Sequence, residues 1–65
     1  MRIVVNHIPR EIPAQSKVSD LLQFIAAQPP YAVAVNLLFI PKTKHSEHVL
    51  NENDQVEVIA PVTGG

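Results

Sequence analysis

The chain has 65 residues, no cysteine and a formal net charge of −1, with five Lys+Arg against six Asp+Glu. That length allows one domain with a marginal core, burying only about 60% of the surface its unfolded form exposes; the missing cysteines rule out disulfides and thiolate nucleophiles or ligands. The near-neutral charge argues against a nucleic-acid partner, and no apolar run approaches the ~20 residues of a membrane span.

The opening Met1-Arg2-Ile3-Val4-Val5-Asn6 is too short in apolar residues for a signal peptide. Ile3-Val4-Val5 is β-branched and reads as a first strand ending at Asn6-His7. Arg10-Glu11-Ile12, flanked by Pro9 and Pro13, reads as a second strand at a sheet edge, where missing N–H groups cost little. The two should form a hairpin. Ser16 is the expected N-cap of a helix, with Ser19 and Asp20 in its first turn. Val18, Leu21, Leu22 and Ile25 follow the i, i+3, i+4, i+7 spacing of one helical face. Gln28-Pro29-Pro30 should stop that helix.

Tyr31-Ala32-Val33-Ala34-Val35 is apolar throughout and reads as a third, central strand. Asn36 is a turn residue that tolerates the left-handed region. Phe39-Ile40 is a short fourth strand cut by Pro41. Lys42 to Asn53 is polar and looplike, except for Val49-Leu50, which should plug the core. Gln55 to Ala60 alternates and forms the last strand, after a turn at Asn53-Asp54. The order ββαβββ predicts an α+β protein: one helix on a mixed sheet, with the first and last strands adjacent and parallel. This is the β-grasp, or ubiquitin-like, arrangement. It divides the chain into a folded body, residues 1–61, and a tail, residues 62–65.

The tail carries the most informative signal. Gly64 and Gly65 are the only glycines in the chain, and no internal turn has one. Pro61 lacks an N–H and should end the strand that reaches it. Val62-Thr63-Gly64-Gly65 would then project as a thin, flexible strip reaching at most about 14 Å, at roughly 3.3–3.6 Å per residue. A frayed polar end or a cloning scar would leave the same residues.

Other side chains offer little chemistry. His45 and His48 lie three apart, but without cysteine or a clear acidic third ligand no metal site is expected. Both read as solvated loop residues. Asp20, Glu47, Glu52, Asp54 and Glu57 read as solvated surface charges. No nucleophile–base pair and no Gly-rich phosphate loop is present. Leu37 and Leu38 fall at a turn where polar residues are expected. They are either a local core plug or an exposed patch for docking a partner.

The segments VNHIPREIP…VSDLLQFI, AVAVNLLFIPK and VLNENDQVEVIAPVTGG resemble ThiS, the bacterial sulfur-carrier family of thiamin biosynthesis, across essentially the whole chain. Three glycines common in that family are absent: His7, Leu37 and Asn53 stand in their places, and Lys42 stands where Arg is common. The small subunit of molybdopterin synthase shares the fold and the terminal Gly-Gly. It is usually longer between helix and third strand, where this chain has only Gln28-Pro29-Pro30.

The resemblance implies a carrier rather than an enzyme. Gly65 would be the modified residue, with Thr63, Gly64 and Gly65 entering partner enzymes. It implies an E1-like adenylating enzyme of the ThiF type that uses ATP to activate Gly65. A sulfur donor such as a cysteine desulfurase, and a thiazole synthase of the ThiG type, would complete the set. No cofactor would be bound by the carrier itself, and the setting would be the cytoplasm. Two other classes fit the same residues: a ubiquitin-like modifier forming isopeptide bonds through Gly65, and a plain β-grasp interaction module.

Overall fold

Two tight hairpins set the architecture. In the computed structural model, which describes residues 1–59, β1 (Arg2–Val5) turns through Asn6-His7 into β2 (Ile8–Glu11), and β3 (Ala32–Val35) turns through Asn36-Leu37 into β4 (Leu38–Ile40). Both turn residues have positive φ in each case, 49° and 70° in the first and 52° and 69° in the second. That is the type I′ geometry whose twist matches the flanking strands. One helix, α1 (Val18–Phe24), lies between the hairpins, and β5 (Gln55–Ile59) follows them.

The sheet order is β2-β1-β5-β3-β4. β1 and β5 are parallel, pairing Val4 with Gln55 and Val5 with Val56, as expected from the element order. β3 is an interior strand, as expected, flanked by β5 and β4 and buried on one face. It runs antiparallel beside β5, the middle strand of the sheet, and alternates between buried valines and more exposed alanines. β2 is an edge strand, so Pro9 inside it breaks no second ladder.

One face of the sheet packs on the helix. Ile3, Val5, Val33, Val35, Ile40 and Val56 meet Val18, Leu21 and Leu22, with Ile12 and Leu50 closing the ends of this core. Of the expected plug Val49-Leu50, only Leu50 is buried; Val49 is exposed and bridges Lys17 in an isolated strand contact.

The helix begins differently from the sequence expectation. Lys17, not Ser16, is the N-cap residue, and its N–H donates to the Asp20 carboxylate at 2.9 Å. The first helical amides donate to loop carbonyls: Val18 N–H to His48 O at 3.0 Å and Ser19 N–H to His45 O at 2.9 Å. Backbone from residues 45–48 therefore does the work that a capping hydroxyl does elsewhere. The Ser16 hydroxyl is buried and turns back to Pro13 O at 2.7 Å.

The helix also stops before the prolines. Ala26 takes φ 54°, its N–H donates to Gln23 O at 3.1 Å, and Ala27 N–H donates to Leu22 O at 3.0 Å. This is the Schellman pattern, which favours glycine at the left-handed position. Ala26→Gly should therefore raise stability by about 0.5–1 kcal/mol, with the Cβ penalty partly offset by the entropy of a freer unfolded chain. A urea denaturation series checks it, and a lower midpoint would contradict the cap assignment.

Candidate functional site

The expected tail residues Thr63, Gly64 and Gly65 lie outside the described residues. What the structure defines is the strand that leads to them. β5 is held from both sides by asparagine side chains of the two hairpin turns. Asn36 donates its backbone N–H to Gln55 O at 2.7 Å and accepts the Gln55 N–H on Oδ1 at 3.0 Å. Asn6 accepts the Val58 N–H on Oδ1 at 2.8 Å and donates from Nδ2 to Val58 O at 3.2 Å.

Asp54, expected at the surface, is buried at the start of this strand. Its Oδ1 accepts from Asn36 Nδ2 at 3.0 Å and its Oδ2 accepts the Asn51 N–H at 2.8 Å. A buried carboxylate so bonded is a structural tie. It locks the final turn, where Asn53 has φ 70°, a conformation Asn tolerates better than most residues. Glu52 serves the same turn by accepting the Arg2 N–H at 2.8 Å.

His45 also departs from expectation. It is 8% exposed, bonds Ile40 O through Nε2 at 3.1 Å, and stacks on Tyr31 with ring centroids 6.1 Å apart. It ties the loop after β4 to the sheet. Beside it, a shallow open depression of about 370 Å³ runs along α1 between Leu22, Tyr31 and Lys42.

Leu37 and Leu38 resolve differently from a core plug. Leu37 is 89% exposed and Leu38 65%, at the tip of the second hairpin. Phe39 beside them is also exposed, and it shares a face with Ala34 and Glu57 through the ladder register. Ile59 is exposed at the other end of that face, paired with Ala32. The sequence marks Phe39 as a strand residue, without assigning its face. The signal was alternation: with Ile40 in the core, Phe39 must face outward. A second groove of about 370 Å³ lies next to this hairpin, between Leu38, Phe39, Lys44 and Glu47.

Among the described residues there is no cluster of three or more metal-ligating side chains, and no helix is long and apolar enough to cross a membrane. The geometry is that of a small body with a braced central strand and an apolar hairpin.

The family model for the ThiS family matches residues 3–65, nearly the whole chain and including Gly64 and Gly65. The chain belongs to the ThiS family. It is thus one of the small sulfur carriers of thiamin biosynthesis, proteins that carry a group for other enzymes. The crystal structure of the thiamine biosynthesis protein ThiS from Geobacter metallireducens is similar in fold, with a TM-score of 0.86 at 20% identity over 100% of both chains. No curated protein matches the chain. ThiS membership favours the thiamin branch over the molybdopterin branch that the terminal Gly-Gly alone left open.

Proposed function

We propose that this ThiS-family chain carries sulfur as a thiocarboxylate on Gly65. A carboxylate is a poor electrophile, because its charge repels nucleophiles and its oxygen leaves badly. An E1-like adenylating enzyme of the ThiF type would use ATP to form the acyl-adenylate, releasing pyrophosphate. A sulfur donor, charged by a cysteine desulfurase or a related protein, would then displace AMP. The loaded carrier would pass its sulfur to a thiazole synthase of the ThiG type, in the cytoplasm. The observation that carries this reading is the family match running through Gly65. It is supported by the placement of β5, the strand nearest the tail in sequence, at the centre of the sheet.

The carrier supplies reach and a docking surface, while the chemistry belongs to its partners. ATP–pyrophosphate exchange by the adenylating enzyme tests this. The chain should support exchange, and a chain lacking Gly65 should not. Equal exchange from both would remove Gly65 from the reaction. Higher-mass adducts on lysines of other proteins would favour a ubiquitin-like modifier instead. Sulfur transfer to molybdopterin synthase but not to thiazole synthase would favour the molybdopterin role.

Within the same proposal, Leu37 and Leu38 form the docking patch. Replacing both with Ser should weaken binding to the adenylating enzyme or to thiazole synthase by about 1–2 kcal/mol, the worth of one interface side chain of this size at ~25 cal/mol per Å². The melting temperature of the free protein should barely change, because both side chains are already exposed. Calorimetric titration against each enzyme reads the effect. Unchanged affinity for both would move the docking surface to the open sheet face around Phe39 and Ile59.

A further inference from the structure

β1 ends at Val5, yet its hydrogen-bond ladder with β5 does not. Val4 N–H donates to Asp54 O at 2.9 Å, and Asn6 N–H donates to Val56 O at 2.9 Å. Each step moves two residues along β5, as a parallel ladder requires. The next donor should reach Val58 O, but the backbone has already turned at Asn6-His7. The Asn6 side chain takes that place. Its amide presents the same C=O and N–H as a peptide group, and it bonds both the N–H and the O of Val58. Asn36 grips Gln55 in a related way from the opposite side. Both asparagines are available because each hairpin turn places Asn at its first positive-φ position.

We infer that Asn6 is a positioning residue for the reaction at Gly65, acting through Val58; the inference rests on the sulfur-carrier reading. Val58 is the last residue that any described group grips from the β1 side, and Gly65 is the seventh residue after it. Seven residues reach at most about 25 Å, so the direction of β5 at Val58 bounds where the Gly65 carboxylate can be presented. With the clamp, β5 is held by both neighbours. Without it, β3 alone holds the strand from Val58 onward, through Val33 and Ala32. Holding the strand in one direction lowers the ordering cost when the tail enters a partner's cleft.

Two variants separate this role from a purely structural one. Asn6→Gly removes the side chain and keeps the positive φ, so the turn survives. Asn6→Asp keeps the acceptor for Val58 N–H but sets a carboxylate oxygen against Val58 O. With the adenylating enzyme in ATP–pyrophosphate exchange, both should raise the KM for the carrier about 3–10-fold, the worth of one to two net hydrogen bonds, and change kcat little. Amide exchange at Val58 should speed up in both. In Asn6→Asp its protection should return as pH falls through the carboxyl titration near about 4, where the protonated acid regains a donor. Native KM in both variants, or native Val58 protection in Asn6→Gly, overturns the inference alone. Failure of the unaltered chain to be adenylated by an enzyme active on its own carrier removes the sulfur-carrier reading as well.

Discussion

Leu22→Ala is expected to lower stability by about 2–5 kcal/mol, the range for deleting a buried leucine side chain. Leu22 is 6% exposed on the inner face of α1, beside Val18 and Leu21, which are fully buried. A domain of this size holds about 5 kcal/mol in total. The substitution therefore removes a large part of it, and much of the population should unfold at ordinary temperature. Phe24→Ala, two residues on, is the internal control. Phe24 is 51% exposed, so its loss should cost under about 1 kcal/mol. Urea denaturation of the two variants reads the contrast. Equal midpoints would mean that the core does not close over the Val18-Leu21-Leu22 face.

Gly64→Val should abolish adenylation while leaving the body folded. The argument is steric and follows from the proposed function. A cleft that admits the tail must exclude water, because water hydrolyses an acyl-adenylate. A channel fitted to glycine has no room for a branched Cβ, and valine also narrows the φ/ψ range the tail can use. Circular dichroism of the variant should match the unaltered chain, and ATP–pyrophosphate exchange should fall to background. Undiminished exchange would refute the narrow-channel argument. A lost helical signal would place Gly64 in the folding of the body instead.

Much of the fold was legible because its signals are periodic. The spacing of Val18, Leu21 and Leu22 gave the helix, and the β-branched runs gave the strands. The parallel pairing of β1 with β5 followed from the order of elements. What failed depended on contacts between distant segments. Ser16 has the right chemistry for a cap, but the loop carbonyls of His45 and His48 reach the helix amides first. His45 and Asp54 look like solvated residues in a polar stretch. They are buried because Ile40 O, Asn36 and Asn51 supply their hydrogen bonds.

The turns teach a similar lesson. A chain without internal glycine still places Asn6, His7, Gln15, Ala26, Asn36, Leu37 and Asn53 at positive φ. Of the candidate site, the sequence left Leu37 and Leu38 open between core plug and exposed patch; Leu37 is exposed as the second residue of a type I′ turn, and Leu38 is exposed as the first residue of the short β4. The asparagine clamps on β5 were not legible. Nothing in the sequence says that a turn residue's side chain will replace the backbone of a strand that has ended.

The most direct test of the account is the intact mass of the chain after incubation with the adenylating enzyme, ATP and a charged sulfur donor. The account predicts a species in which one oxygen of the Gly65 carboxylate is replaced by one sulfur, and its disappearance when thiazole synthase and its remaining substrates are added. An unchanged mass, with an enzyme shown to load its own carrier under the same conditions, would contradict it.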